Sequence, residues 1–518
     1  MRDVLIGIDA GTSVIKSIAF NFAGRQLGAH AFPNSYATTP GAGAEQDMAR
    51  TWADTAATLR GLAETVPGLA DRVAAIAVTG QGDGTWLIDA RGDPVGPAFL
   101  WLDARAAAFV DRVRAGDADA GRYALTGSGL AACQQGPQLD WIKRNQPERI
   151  AAAAHAFHCK DWLYFNLTGE IATDPSEGCF TFGDFRARAY HDAVIDTLGL
   201  SDEKRLLPQI VEGTRESAPL SASAAAATGL PAGTPVVLGY VDVACTALGA
   251  GVYEPGATPG VTIVGSTGMH MRYCRDADDV TLNADRTGYT MCMPIPGGYA
   301  QMQSNMASTL NIDWLLDMAS GLLATQGVER SRRDLIASLD GWVAQAGPAN
   351  LLFQPYISEA GERGPFIDAD ARASFLGLST RHGFADLVRG VFEGLAFAAR
   401  DCYVATGAIP DEIRLTGGAA RSRVLRGILS AATGAPVRTS AREEAGAAGA
   451  AMMAAVNIGV YDTMDACVAE WVTPLLGAAE PPDAELAARY DRVFPAYVTA
   501  RDAMRPVWKA FAATKGHG

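Results

Sequence analysis

The sequence predicts an α/β protein that is built from two domains. Three observations support this fold class: the length of the chain, the alternation of strand-like runs with Ala-rich helical stretches, and a strand–turn–strand unit that occurs in both halves. The chain has 518 residues. A single hydrophobic core rarely supports a chain of this length, so two domains of roughly 200–250 residues each are expected. Strands alternating with helices are typical of α/β folds. We place the boundary near residue 250, which gives domains 1–250 and 251–518.

The first half begins with two strand-like segments, residues 4–8 and 14–20, which are joined by an Asp-Ala-Gly-Thr-Ser turn. Residues 51–66 show the 3.6-residue periodicity of an amphipathic helix. The run VAAIAVTG, residues 73–80, predicts a buried strand that ends in a glycine turn, and FLWLD, residues 99–103, predicts another strand. The order of these segments therefore fits an α/β domain.

The second half repeats this design. A strand over residues 236–240 leads to Asp242, and residues 261–273 give a strand, a Gly-Ser-Thr-Gly turn and a second strand. Farther on, a strand meets Gly417 and Gly418, and a helix is expected to begin near Ser422. The small-residue run at 445–460 predicts a helix packed tightly in a core rather than a membrane span.

Composition excludes several classes of protein. The net charge is −14 and the sequence contains no basic run, which argues against a nucleic-acid partner. The eight cysteines are scattered without a Cys-x-x-Cys pair, so we expect free thiols in a reducing compartment and no zinc site. The N-terminus lacks the pattern of a signal peptide, and no membrane contact is expected, so the predicted location is cytoplasmic.

The turn in the opening segment allows two interpretations. One is an ordinary β-hairpin, because Asp, Gly and Ser favour turns for local reasons. The other is a phosphate site, in which the backbone at Gly11, the hydroxyls of Thr12 and Ser13, and Lys16 contact phosphate oxygens while Asp9 holds a divalent cation. The spacing does not match the G-x-x-x-x-G-K-[ST] loop. This stretch alone leaves both interpretations open.

Two further turns favour the phosphate interpretation. Gly265, Ser266 and Thr267 form a similar turn in the second half, and Gly417 and Gly418 would let a phosphorylated ligand approach the backbone closely. A glycine turn is common by itself and serves simple turn geometry equally well. Phosphate-type turns in both halves, however, describe two similar domains with a nucleotide bound in the cleft between them.

In combination, these segments resemble the FGGY carbohydrate kinases. The resemblance is carried by GIDAGTSVIKS at the start, by a Lys-Asp-aromatic segment with Leu-Thr-Gly-Glu and Thr-Asp-x-Ser at 160–178, and by VGSTG. It continues through a Gly-Glu-Arg-x-Pro segment within residues 356–378, then LTGGAARS and EEAGAAGAAM. Six motifs in the family's order over about 450 residues make a chance match very improbable. Gln138 and Gly390 depart from the family pattern, but neither touches the proposed chemistry.

The resemblance implies two actin-like (ribonuclease H-like) domains and transfer of the γ-phosphoryl group of ATP to a hydroxyl group, with Mg²⁺. It implies that Asp242 is the catalytic base, contacts the acceptor and, with Asp9, lies at the metal. From the residues alone, Asp242 could equally be a helix N-cap. Gly11, Thr12, Ser13, Lys16, Gly265, Ser266 and Thr267 would hold the phosphates, and Gly417, Gly418 and Ser422 the adenosine end.

The acceptor is expected to be a small polyol or sugar. Gln81, Asp83, Trp101 and Asp103 occupy positions that line the acceptor pocket in relatives, although Trp101 could instead pack in a core. The GQGDG turn together with LWLDAR is most similar to members of the family that act on erythritol. A pentulose or pentitol kinase is the alternative, a glycerol kinase is less favoured, and a non-catalytic actin-like sugar sensor is the alternative outside the enzymes. A homodimer is possible.

Overall fold

A computed structural model describes residues 2–514 of the chain. The strands are β1 Val4–Ala10, β2 Val14–Asn21, β3 Gln26–Pro33, β4 Ala37–Thr39, β5 Gly43–Gln46, β6 Val73–Gly80, β7 Trp86–Ile88, β8 Ala98–Phe99, β9 His155–Phe157, β10 Ala172–Thr173, β11 Gly183–Asp184, β12 Ala189–Tyr190, β13 Gln209–Ile210, β14 Ala218–Pro219, β15 Pro235–Leu238, β16 Gly260–Val264, β17 Gly268–Cys274, β18 Tyr289–Cys292, β19 Tyr299–Asn305, β20 Leu352–Gln354, β21 Ser374–Leu376, β22 Ile413–Thr416 and β23 Val437–Thr439.

The α-helices are α1 Met48–Thr65, α2 Leu69–Arg72, α3 Ala107–Ala115, α4 Ala118–Thr126, α5 Gln135–Asn145, α6 Pro147–Ala152, α7 Cys159–Thr168, α8 Pro175–Phe182, α9 Asp192–Thr197, α10 Ala222–Thr228, α11 Asp242–Ala250, α12 Thr309–Thr325, α13 Arg332–Gln345, α14 Phe384–Ala405, α15 Arg423–Thr433, α16 Ala445–Asn457, α17 Met464–Trp471 and α18 Ala484–Thr514.

Each half of the chain builds a six-stranded mixed sheet. The first has the order β14-β15-β6-β1-β2-β3, and the second has the order β18-β19-β17-β16-β22-β23. In the first sheet β1 is antiparallel to β2 and parallel to β6. In the second, β16 is antiparallel to β17 and parallel to β22. The same central strand arrangement therefore occurs twice, and the predicted α/β class with two similar units is confirmed.

The helices that follow the last parallel strand of each sheet pack against each other. These are α11, after β15, and α16, after β23, and they approach closely because their facing residues are small. A Cβ atom at Gly249 would lie 2.1 Å from the carbonyl oxygen of Ala445, and one at Gly449 would lie 2.0 Å from that of Cys245. Real Cβ atoms essentially never come closer than 3.0 Å, so glycine is required at both positions.

Helix α16 also packs on β1 and β6 of the first sheet. A Cβ atom at Gly7 would lie 2.1 Å from the carbonyl oxygen of Ala447, so this contact too depends on glycine. Residues 445–455 are buried throughout, which confirms the prediction of a tightly packed core helix for this segment. Helix α16 belongs to the second half of the chain but packs on the first sheet, so this packing does not mark a division near residue 250. The boundary there stays a prediction.

Most predicted elements are present, and one is wrong. The predicted helix at 51–66 is α1, and the predicted strand at 73–80 is β6. The strand predicted over residues 99–103 ends at Phe99, because the carboxylate of Asp103 accepts hydrogen bonds from the backbone of Ala44 and Arg105 and bends the chain into a turn. All eight cysteines are buried free thiols. Within residues 2–514, no helix is both long and apolar enough to cross a bilayer.

Candidate active site

A cavity of about 220 Å³ is lined by both halves of the chain. The predicted site residues that it brings together are Thr12, Asp83, Trp101, Asp242 and Thr267. The remaining residues around it are Gly82, Phe180, Val241, Val243, Met269, Tyr289, Met291, Met302 and Arg363. Carboxylates and hydroxyls thus share one chamber with aromatic and methionine side chains, as is typical of small-molecule sites.

Asp242 is the first residue of α11 and not its N-cap, which is Val241. Its Oδ1 atom accepts a hydrogen bond from the backbone N–H of Val243 at 2.7 Å. Burial and the nearby charge of Asp9 raise the pKa of Asp242 to about 8. Two carboxylates therefore lie near each other at the cavity, and their mutual repulsion favours binding of a cation.

Asp9, in β1, lies beside the first turn of α16. Burial raises the pKa of Asp9 to about 6, while the positive charge of Lys16 acts in the opposite direction. The Asp9 Oδ2 atom is close to Gly446, where a Cβ atom would lie only 2.4 Å from it. A carboxylate at a helix N-terminus is stabilised by the free N–H groups and the helix dipole. The Lys16 ammonium group itself pairs with Glu444 at 2.9 Å.

On the acceptor side, a chain of hydrogen bonds fixes the first turn. The Thr12 hydroxyl donates to Gln81 Oε1 at 2.9 Å and accepts from the Trp101 indole N–H at 2.7 Å. Gln81 in turn donates to Gln46 at 2.7 Å and is buried behind Thr12. Thr12 and Trp101 line the cavity, whereas Gln81 holds them in place.

Asp83 faces the cavity in an unusual backbone conformation. Its φ angle is 54°, a left-handed value that Asp tolerates better than most residues. The Oδ2 atom accepts a hydrogen bond from the Cys133 thiol at 3.2 Å, and the buried Oδ1 atom has no partner within residues 2–514. Burial raises the pKa of Asp83, and the charge of Arg363 partly offsets this effect. An acceptor hydroxyl could donate to the free oxygen.

Four cavity features were missed by sequence reasoning. Phe180, from the first half, stacks on Tyr289, from the second, with ring centroids 5.2 Å apart and planes at 22°. Arg363 lies inside the Gly-Glu-Arg-x-Pro segment, so its motif was a usable signal, and Phe180 closely follows the Thr-Asp-x-Ser motif. Tyr289 and the methionines of β17 to β19 carried no local signal, since only the folded sheet brings them to the cavity.

Asp103 corrects one expectation about the acceptor pocket. It does not line the cavity, because its carboxylate forms an ion pair with Arg105, Oδ2 to Nη2 at 2.5 Å, and also accepts from the backbone N–H of Ala44 at 2.9 Å. The side chain is buried in this arrangement. Asp103 therefore shapes the turn after Trp101, and Gln138 supports the same turn by donating to the carbonyl oxygen of Leu100 at 2.9 Å.

The predicted phosphate turns of the second half lie side by side. Ile263 pairs with Thr416 in the parallel β16–β22 ladder, so the turns that follow these two strands are neighbours. Gly417 has a φ angle of 98°, and a Cβ atom there would lie 2.5 Å from the carbonyl oxygen of Val264. The carbonyl oxygen of Gly265 accepts from the backbone N–H of Thr309, which anchors its turn to the start of α12.

Four residues that are predicted to contact the phosphates or the adenosine end differ in exposure and in hydrogen bonding. Ser422 is the N-cap of α15, accepts from the backbone N–H of Leu425 and donates to Asp340 at 2.7 Å. Ser13 and Ser266 are exposed at the tips of their turns, and Gly418 is open to the space around it. In the first hairpin, the Gly11 N–H donates to the carbonyl oxygen of Val14 at 3.0 Å.

The Lys-Asp and Thr-Asp-x-Ser motifs form a buried network of charged side chains. The Lys160 ammonium group contacts Asp161 at 2.6 Å and Asp174 at 2.5 Å. His158 contacts Asp161 at 3.1 Å through Nδ1 and Glu177 at 3.4 Å through Nε2. Although burial acts in the opposite direction, Lys160 and His158 lower the pKa of Asp161 to about 2. These contacts therefore tie α7 to the start of α8, and none of these residues lines the cavity.

The donor set suits a magnesium ion better than a metal held by protein ligands alone. Within residues 2–514, no group of three or more His, Cys, Asp or Glu side chains is arranged to hold a metal. Asp9 and Asp242 offer two neighbouring carboxylates, one beside the cavity and one on its wall. Mg²⁺ is usually held by one or two carboxylates together with water and substrate phosphates, so the residues present fit that ion.

Comparison with known proteins agrees with this geometry. Residues 4–249 match the N-terminal domain of the FGGY family of carbohydrate kinases, and residues 260–458 match its C-terminal domain. The chain is 56% identical to the erythritol kinase of Brucella abortus (strain 2308) over 513 residues, 99% of this chain and 98% of that protein. It is 29% identical to the xylulose kinase of Escherichia coli (strain K12), over 83% of this chain and 84% of that one.

The structure of the xylulose kinase from Rhodospirillum rubrum superimposes with a TM-score of 0.87 at 28% identity, covering 98% of this chain and 100% of that one. With both family domains matched in order, the chain belongs to the FGGY family of carbohydrate kinases.

Proposed function

We propose that the chain transfers the γ-phosphoryl group of ATP to a terminal hydroxyl of a short polyol, with erythritol as the best candidate and Mg²⁺ as the cation. The observation that carries the proposal is the position of Asp242 on the wall of a small cavity beside Asp9. The 56% identity to an erythritol kinase over nearly the whole chain supports the choice of acceptor.

Phosphoryl transfer requires positioning, charge neutralisation and a base for the hydroxyl proton. Asp242 can take that proton, since it lines the cavity together with Thr12 and Thr267 and lies near Asp9, the proposed cation-side carboxylate. A pKa of about 8 means that Asp242 is mostly protonated at neutral pH when no cation is bound. A divalent cation at Asp9 would compensate the negative charge there and favour the ionised, basic form of Asp242.

The acceptor side is shaped for a short chain of hydroxyl groups. Asp83 offers a free carboxylate oxygen, and Trp101 offers an aromatic face for carbon-bound hydrogens. The neighbouring turn is narrow, since a Cβ atom at Gly82 would lie 2.4 Å from Val241 Cγ2 and 3.1 Å from Glu177 Oε1. Glycine at this position lets Val241, which lines the cavity, pack closely against the turn.

The proposal is tested by coupling ADP release to a spectrophotometric signal across erythritol, glycerol, the pentitols and the pentuloses. Erythritol should give the highest kcat/KM. Preference for a pentulose such as xylulose would support the alternative suggested by the 28–29% identical xylulose kinases. ADP release with none of these acceptors would contradict the proposal and favour a sensor.

The role of Asp242 is tested by Asp242→Asn, which keeps the size of the side chain and removes the base. We expect kcat to fall by about 10²–10⁴-fold, the usual contribution of a general base, while ATP still binds in a calorimetric titration. Asp93→Asn is the matched control, because Asp93 lies on the surface with 67% of its side chain exposed. Near-normal turnover of Asp242→Asn would show that another group takes the proton.

A further inference from the structure

A second, smaller cavity adjoins the first. It measures about 40 Å³ and is lined by both halves of the chain. Three residues line both cavities and thus form the partition between them: Tyr289, Met302 and Arg363. The remaining residues around the smaller cavity are Gly129, Leu130, Ala131, Thr287, Gly288, Gln303, Ser304 and Ile367.

Arg363 is held firmly in this partition. Its Nε atom donates to the Ser304 hydroxyl on β19 at 3.1 Å. The preceding residue, Glu362, accepts hydrogen bonds at Oε1 from the backbone N–H groups of Met306 and Arg363, both at 2.9 Å. The loop and the side chain are therefore both tied to the second sheet, so the guanidinium group forms a fixed wall rather than a mobile one.

The smaller cavity has polar groups that suit a hydroxyl. Gln303 is almost completely buried, donates to the carbonyl oxygen of Thr287 at 3.2 Å, and has no partner for Oε1 within residues 2–514. A buried amide oxygen without a partner is costly, so a donor in the cavity would be favoured. A volume of about 40 Å³ exceeds the roughly 10–15 Å³ that one water molecule requires, which leaves room for one CHOH unit.

We propose that Arg363 sets the length of the acceptor: it ends the larger cavity at a short polyol and separates it from a hydroxyl-sized subsite at Gln303. The inference rests on the proposed function, since it concerns the acceptor of that same reaction. Asp83 and Arg363 line the larger cavity from different halves of the chain, so a hydroxyl between them can donate to the carboxylate and accept from the guanidinium. A longer polyol needs the space behind Arg363.

The test replaces the partition and measures acceptor length preference. Arg363→Ala joins the two cavities, and Met302→Ala opens the same partition at a second point should the arginine variant fail to fold. For each, kcat/KM is measured with erythritol and with ribitol, xylitol and D-arabitol. We expect the best pentitol-to-erythritol ratio to rise about tenfold or more, since a single added carbon unit is discriminated by factors of 10 to 200.

Two control variants distinguish opening of the partition from loss of the positive charge and from a change at the exposed edge of the smaller cavity. Arg363→Met retains the bulk of the side chain and should lower kcat/KM for all polyols while leaving the ratio unchanged. Ile367→Ala enlarges the smaller cavity at its exposed edge, away from the partition, and should also leave the ratio unchanged.

The outcomes distinguish the inference from the proposed function. Suppose that the native protein prefers erythritol and that the folded partition variants keep a pentitol-to-erythritol kcat/KM ratio within twofold of the native ratio. The role of Arg363 in setting acceptor length is then overturned, while the kinase proposal stands. If the native protein phosphorylates none of the polyols, both fall. A raised ratio in Ile367→Ala equal to that in Arg363→Ala would also overturn the role of the partition.

Discussion

Gly446→Ala should impair catalysis through Asp9 without touching any ligand directly. Gly446 lies in the first turn of α16, and a Cβ atom added there would meet Asp9 Oδ2 at 2.4 Å and Thr246 Oγ1 at 3.1 Å. Cβ contacts below 3.0 Å are essentially never observed, so the carboxylate must retreat by at least the difference of 0.6 Å between 3.0 and 2.4 Å. The Thr246 hydroxyl oxygen, 3.1 Å from the added Cβ atom, is also closer than ordinary van der Waals contact and leaves the methyl group little room to move.

A displacement of this size predicts a measurable loss of turnover. Misplacing a reacting or positioning group by about 1 Å can cost on the order of 10²-fold in rate, so we expect kcat to fall between about 10- and 100-fold. Because Asp9 is the proposed cation-side carboxylate, the Mg²⁺ concentration for half-maximal activity should rise as well. Both values come from the ADP-release assay at saturating ATP and polyol, with Mg²⁺ as the titrated component.

Gly427→Ala is the matched control. Gly427 is also a helical glycine, in α15, but an added Cβ atom there meets nothing within 4 Å. This variant should keep full activity and gain about 0.5–1 kcal/mol of stability from the better helix former. If Gly446→Ala matched Gly427→Ala within twofold in both kcat and Mg²⁺ dependence, the close approach of α16 would not position Asp9.

Three further perturbations test the acceptor wall and the buried charges. Asp83→Asn retains a residue that tolerates φ of 54°, and should raise the polyol KM by about 10-fold or more while the ATP KM stays constant. Burial raises the pKa of Glu362 from 4.5 to about 7, so the native protein loses stability as pH rises from about 4.5 through 7 and this carboxyl ionises. In urea unfolding, the free energy of unfolding of Glu362→Gln relative to that of the native protein should therefore increase by about 3 kcal/mol between pH 4 and pH 8.5. Equal pH dependence of the two proteins would contradict this. Lys160→Met leaves Asp161 and Asp174 buried without their cation and should lose about 3–5 kcal/mol in the same unfolding assay, whereas a loss under 1 kcal/mol would show that water reaches them.

Elements whose conformation depends on a few consecutive residues could be predicted from the sequence. The opening hairpin, the second strand–turn–strand unit and the acid at the start of α11 each depend on a few consecutive residues with recognisable turn chemistry. The equivalence of the two sheets followed from that repeat, and the strand order confirms it. Predictions made from a short apolar run were weaker, as residues 99–103 show, because side-chain hydrogen bonds from elsewhere decided their conformation.

The partners of charged side chains could not be predicted in the same way. Lys16 follows the first turn and is predicted to contact phosphate oxygens, but its ammonium group meets Glu444, more than four hundred residues away in sequence. Asp103 has the family position of an acceptor contact, but Arg105 and the backbone of Ala44 occupy its carboxylate. In both cases the residue type was correct for binding and the tertiary structure supplied a competing partner, which only long-range packing reveals.

The small residues of α11 and α16 explain why Asp9 and Asp242 lie near each other. The two helices are antiparallel, as the reciprocal contacts of Gly249 with Ala445 and of Gly449 with Cys245 require. Any larger side chain at these glycines would push α16 away from α11, and the start of α16 would leave Asp9. Burial raises the pKa values of both carboxyl groups, which disfavours ionisation of Asp242 until a cation binds. The close helix pair is therefore the element that holds the site in place.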